Sequence, residues 1–220
     1  MLKPIAMYVA CAILLAASPY SSPAAGLSGV STQLARAGEA SLFINEVMAS
    51  NATTVTDLRG NYSDWIEIYN AGRTPVDVGG MYLTDDSENP TRWRIPAGTT
   101  VPAQGYLLIW ADNDVADAGL HASFSLSAAG EAVALYDRDG VTLLDVVSFG
   151  PQLTDVSYGR YPDGAGDWRP MGHPTPGLPN IRGYEGFVAK PEFSRRRGFY
   201  DTSIFVTISC ATDGAEIYYT

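Results

Sequence analysis

From Leu42 onward the chain is a succession of short apolar or alternating runs cut by glycine, proline, asparagine and aspartate. No stretch beyond the first forty residues pairs amphipathic helical spacing with caps at both ends, so the pattern is that of an all-β protein. Residues 41–50 (SLFINEVMAS) alternate, which predicts Leu42, Ile44 and Met48 on one face and Phe43, Asn45 and Val47 on the other. Residues 65–69 (WIEIY) set Trp65, Glu67 and Tyr69 opposite Ile66 and Ile68, and residues 106–110 (YLLIW) are apolar on both faces. Residues 131–136 and 142–149 flank Asp137-Arg138-Asp139-Gly140, a hairpin signal because glycine accepts the positive φ that such turns require. With 22 glycines and 14 prolines as punctuation, these runs predict a sandwich or barrel.

Charge and cysteine content narrow the function. Fourteen Lys and Arg against 24 Asp and Glu give a net charge of −10, a field that repels phosphate backbones and disfavours nucleic acid as a partner. Two cysteines make neither a disulfide-stapled scaffold nor a four-thiolate zinc site. Lys3 precedes an apolar run from Ile5 to Ala17, followed by the small residues Ser18, Ser21, Ser22, Ala24 and Ala25. That is the layout of a secretory signal, so residues 1–25 are expected to be a signal peptide and 26–40 a flexible linker. A retained membrane anchor is the rival, and the run is short for one. Lipidation at Cys11 is disfavoured, because the cysteine lies inside the apolar run behind Tyr8. Cleavage would remove Lys3 and Cys11, taking −10 to −11 and leaving Cys210 as the one thiol, expected buried or paired elsewhere. Secretion or display at a cell surface follows, with no membrane span after cleavage.

A sandwich over residues 41–180 would end at Pro174-Thr175-Pro176-Gly177-Leu178-Pro179-Asn180, whose three prolines predict an extended linker leaving the sheet. Residues 181–220 begin a second β segment, still in strand pattern at Glu216-Ile217-Tyr218-Tyr219. Thirty-five residues bury little surface, so this segment is expected to be the start of a domain that continues further, in a chain with downstream domains.

Candidate chemistry is sparse. Asp85, Asp86, Glu88 and Asn89 crowd one loop and Asp112, Asn113, Asp114 and Asp117 another. Such hard oxygen donors suit Ca²⁺, but the spacing is not that of an EF-hand, and Asp and Asn also open turns by bonding their own backbone. No cofactor or metal ligand is therefore assigned. His121 and His173 lie far apart with no nucleophile motif beside them and are expected in exposed loops, so no catalytic residue is assigned either. Twenty-four acids offer many pairs for sugar hydrolysis, and nothing singles one out. Trp65, Trp93 and Trp110 lie in strand-like runs and are expected inside; Trp168, in a Gly/Asp/Pro-rich stretch, is the candidate ligand contact. Glu67 is expected to bond a turn, since a buried carboxylate needs partners. Asn51-Ala52-Thr53 and Asn61-Tyr62-Ser63 fit glycosylation acceptors, and Arg195–Arg197 with Lys190 form a local basic spot expected to be a solvated turn.

Ile44-Asn45-Glu46-Val47, Asp64-Trp65-Ile66-Glu67-Ile68-Tyr69-Asn70 and Gly80-Met81-Tyr82-Leu83-Thr84-Asp85-Asp86 stand in order along the chain. Trp93-Arg94-Ile95-Pro96, Gly105-Tyr106-Leu107-Leu108-Ile109-Trp110-Ala111, Phe124-Ser125-Leu126-Ser127 and Ser157-Tyr158-Gly159-Arg160-Tyr161-Pro162-Asp163-Gly164 follow, closing at Pro174-Thr175-Pro176-Gly177. Over about 140 residues this text resembles the lamin tail domain in the form found in secreted and surface proteins of bacteria. The resemblance implies an immunoglobulin-like β-sandwich without catalytic residues. Pro191-Glu192-Phe193-Ser194, Gly198-Phe199-Tyr200, Val206-Thr207-Ile208-Ser209 and Gly214-Ala215-Glu216-Ile217-Tyr218-Tyr219-Thr220 resemble the opening of a chitobiase/hexosaminidase C-terminal-type β-sandwich. Arg195-Arg196-Arg197 departs from the Pro- or Ser-containing turn more usual there. The function expected is a non-catalytic extracellular interaction, adhesion or spacer module that binds a protein or glycan. The alternative is an accessory domain of a secreted enzyme, a CotH-type kinase or a glycoside hydrolase, with its catalytic part beyond residue 220.

Overall fold

The computed structural model describes residues 42–184, 187–212 and 215–218, so the expected signal peptide, the linker after it and Tyr219 of the terminal strand pattern lie outside the described residues. The described chain falls into two compact units that divide after Tyr184. All regular structure among the described residues is β.

The first unit is an immunoglobulin-like sandwich. In chain order its strands are β1 (Leu42–Met48), β2 (Trp65–Asn70), β3 (Val76–Asp77), β4 (Tyr82–Thr84), β5 (Trp93–Arg94), β6 (Thr100–Val101), β7 (Tyr106–Ala111), β8 (His121–Ala122), β9 (Glu131–Tyr136), β10 (Leu143–Phe149), β11 (Ser157–Tyr161) and β12 (Asp167–Met171). One sheet runs β12-β11-β1-β2-β7-β8 and the other β10-β9-β4-β5, while β3 and β6 pair as a small ribbon. Ile44, Val47, Ile66, Ile68 and Ile109 from the first sheet and Leu83, Trp93, Val133, Leu135 and Val147 from the second share one apolar core. Those side chains alternate along their strands, which is how a chain with few apolar runs fills the space between two sheets. The expected hairpin joins β9 to β10: Gly140 has φ 67°, and Asp139 accepts the Val141 and Thr142 N–H groups at 2.9 and 2.8 Å.

One residue changes the expected faces of β1. Its register against β2 shifts between Ile44, opposite Ile68, and Glu46, opposite Glu67, so Asn45 is an inserted bulge residue. Beyond it the alternation inverts. Val47 joins Leu42 and Ile44 in the main core, and Met48, expected beside them, packs on the outer face with Trp65 and Trp110. Asn45 and Glu46 make their hydrogen bonds on that outer face too, toward Glu67, Asp163 and Ser157.

The Pro-rich stretch is not a linker. Thr175 and Gly177, between its prolines, and Asn180, just after the last, donate hydrogen bonds to Glu46, Glu67 and Asp163, so the segment is a strap fixed to the sandwich. Proline removes donors only where it stands, and its neighbours keep theirs. The second unit contains β13 (Glu192–Phe193) paired with β14 (Ile208–Ser209). Residues 215–218, expected to be in a strand, have no strand structure. Phe199 and Phe205 are fully exposed there, and the Cys210 thiol, neither buried nor in a disulfide, donates to the Ala189 carbonyl at 3.1 Å.

Candidate functional site

The densest cluster of ionisable groups lies on the outer face of the six-stranded sheet, beneath the strap. The bulge turns Glu46 outward, and pairing places it directly opposite Glu67. Both residues have no solvent exposure. Asn45 joins them to a third acid, its amide donating to Glu67 Oε1 at 3.1 Å and to Asp163 Oδ1 at 3.0 Å. The turn after β11 carries Asp163, whose Oδ2 receives the Tyr106 hydroxyl at 2.7 Å.

Among the described residues the hydrogen-bond partners of these carboxylates are neutral donors. Ser157 donates to Glu46, and Thr175 reaches it with N–H and hydroxyl at 3.1 to 3.3 Å. Gly177 donates its N–H to Glu67 Oε2 at 2.6 Å, with φ +80°, a conformation that glycine adopts without strain. Asn180 donates its N–H to Asp163 and its amide to the carbonyls of Asn45 and Arg160. The nearby Arg160 guanidinium is committed elsewhere, bidentate on Asp145 at 2.9 and 3.0 Å. Burial without a counter-cation favours the protonated form. It pushes Glu67 up to about 8 against the hydrogen bonds from Gly177 and Asn45, and it raises Glu46 as well. Burial and the Asp163 hydrogen bond likewise push the Tyr106 phenol up. Glu67, expected to bond a nearby turn, is a strand residue that bonds a distant one, the strap 110 residues downstream.

A second cluster gathers where β7 and β8 meet the loop between them. His121, expected in an exposed loop, is 3% exposed on β8, stacked on Trp110 with its Nδ1 3.0 Å from Asp112. Parallel pairing of β8 with β7 buries it, a long-range contact that local sequence does not encode. Donation from Nδ1 leaves Nε2 buried and without a hydrogen-bond partner, facing Gly119, where an added Cβ would stand 3.4 Å away. His173 is exposed. In the acidic loops Asp117 pairs with Arg59 at 2.5 Å and Asp85 with Arg92 at 2.8 Å. Among the described residues no group of three or more His, Cys, Asp or Glu is placed to hold a metal ion. Burial, with Asp112 nearby, pushes Asp64 up to about 6.

Trp168 is in a strand rather than a loop. It pairs with Arg160 across β11 and β12, stacks on Tyr158 at 5.3 Å, lies 4.8 Å from the Arg160 guanidinium and packs against the main core. The amides of the two glycosylation motifs are engaged by the fold. Asn51 donates its amide to the carbonyls of Val55 and Ser63 at 2.7 and 2.8 Å, and Asn61 donates to Asp57 at 3.0 Å, so both acceptor amides already serve as structural donors. The strap cluster was the part that sequence reasoning missed. Its one local signal was the pair of glutamates in Asn-Glu-Val and Trp-Ile-Glu, each where a strand would not otherwise bury a charge.

No curated protein and no solved structure matches the chain. Residues 35–151 match the model of a family described as Lamin Tail Domain. The match covers just over half of the 220 residues and takes in Glu46, Glu67, Asp112 and His121, while β11, β12 and the strap lie after it. The lamin tail domain is a non-enzymatic immunoglobulin-like module, and the chain belongs to the lamin tail domain family.

Proposed function

We propose that this chain belongs to an exported protein, and that its lamin-tail sandwich acts outside the cell as a non-catalytic interaction or spacer module toward a protein or glycan. The observation that carries the non-catalytic reading is the use already made of the reactive groups. The buried acids are engaged by the strap, Asn45, Ser157 and Tyr106, and His121 is held by Asp112 beneath Gly119. A catalytic base or nucleophile needs access to a substrate atom at hydrogen-bonding distance. The first unit also carries eight arginines, no lysine and eighteen acids between residues 42 and 184, a net charge of −10 that keeps such a module soluble and apart from anionic polymers.

Export rests on the positive–apolar–small layout of residues 1–25. The resemblance of residues 181–220 to a chitobiase-type sandwich, with the β13–β14 pair in them, supports a second β domain. The test is a glycan array and a surface-protein pull-down with the full chain, alongside a hydrolase and kinase activity screen. Saturable binding without turnover is expected; turnover abolished by Glu67→Gln would overturn the reading.

A further inference from the structure

The strap covers a buried carboxylate pair, and it is chain-terminal to its unit. Residues 172–184 follow β12 and reach Tyr184, whose N–H donates to the Pro170 carbonyl at 2.8 Å. Between these ends four donors of the strap end on carboxylates or on backbone carbonyls beside them, the Thr175 N–H, the Gly177 N–H and the Asn180 N–H and amide, while the Thr175 hydroxyl lies between Glu46 Oε2 at 3.1 Å and Asn180 Oδ1 at 2.8 Å. The groups facing them are Glu46 from β1, Glu67 from β2, Asp163 from the turn after β11 and the Tyr106 phenol from β7. Tyr69 stacks on Tyr106 from β2. His173, on the strap itself, is exposed. Among the described residues these carboxylates show no cation as a hydrogen-bond or salt-bridge partner, and Arg160 is held by Asp145.

We propose that residues 172–184 are a pH-operated clasp: ionisation of the buried pair Glu46 and Glu67 opens the strap as a unit while both sheets stay folded. The direction follows from linkage. An acid that is buried when the strap is closed and hydrated when it is open gives up its proton more readily in the open state, so rising pH favours opening. The push of Glu67 up to about 8 marks where this linkage ends, so the transition falls at or just below pH 8. The sheets do not depend on the strap, because the apolar core lies on their other faces. Opening would add thirteen residues to the tether before the second unit, up to roughly 40 Å of chain. The device holds whatever the module binds.

The test is carbon-detected NMR of the full chain between pH 5.5 and 9.5, following the Cα shifts of Thr175, Gly177 and Asn180 against those of Ile66 and Ile109. The strap shifts should move to random-coil values with a midpoint near 8 while Ile66 and Ile109 stay in place. Thr175→Val, which removes one donor and leaves the core intact, should lower the midpoint by about half to one pH unit. Glu46→Gln should raise it. Strap shifts that stay native to pH 9.5 would overturn the proposal, as would strap and core moving together at one midpoint.

Discussion

The two faces of β1 and β2 are built from the same thirteen residues and solve opposite problems. The inner face carries Ile44, Val47, Ile66 and Ile68 and is covered by a whole second sheet. On the outer face the cover is local. Met48, Trp65 and Trp110 form a small apolar patch, while Asn45, Glu46 and Glu67 form a polar one closed by the strap. Apolar burial is non-directional and needs only area, so an entire sheet of varied side chains can supply it. Buried carboxylates need donors at particular points, and a loop with free N–H groups delivers them where a strand, whose N–H groups are committed to its neighbours, cannot.

Breaking the inner face should cost most. Ile68→Ala deletes part of a fully buried side chain and should destabilise the first unit by about 2–5 kcal/mol. All four tryptophans lie in that unit, so urea unfolding followed by tryptophan fluorescence reads it without the second. Breaking the outer face at its hub comes next. Asn45→Ala takes a donor from both Glu67 and Asp163 and an acceptor from the Gly164 N–H, and should cost about 2–4 kcal/mol in the same assay.

A pH series sharpens the contrast, because only the outer face titrates. Glu67 is pushed up to about 8 when folded, so the folded state holds a proton that the unfolded chain releases near 4.5. Stability should therefore fall as pH rises between about 4.5 and 8, by an amount on the order of a few kcal/mol, and level off above. Asp64, raised to about 6, adds to the same slope at its lower end. Glu67→Gln should flatten the profile and be less stable than wild type at pH 5, since an amide cannot accept from both Asn45 and Gly177 as the carboxyl does.

Smaller effects mark the edges of the comparison. Trp168→Ala removes a half-buried ring stacked on Tyr158 and should cost about 1–3 kcal/mol. Phe205→Ser, at an exposed position of the second unit, should move the tryptophan-detected midpoint by no more than about 0.5 kcal/mol.

Much of the inner face could be read from sequence, because alternation is local and one wall of a sandwich imposes it residue by residue. The runs around Ile66, Ile109 and Val133 and the hairpin at Gly140 all fall where the pattern puts them. What escaped depends on one inserted residue or on distant contacts. A period-two reading assumes an unbroken pleat, so the bulge at Asn45 sent Met48 and Val47 to the wrong faces. Proline content suggested a free linker at 174–180, yet the residues between the prolines meet Glu46 and Glu67 more than a hundred positions away. Trp168 and His121 looked like loop residues from their neighbours, and pairing with β11 and β7 made them strand residues.

The central claim is that Glu67 is sealed beneath the strap among neutral donors. A side-chain carboxyl ¹³C titration of Glu67 in the full chain reads it directly. A midpoint near 8 is the result predicted. A midpoint near 4.5, the value of a hydrated glutamate, would mean that water reaches the carboxylate, and it would contradict the sealed cluster and the clasp together.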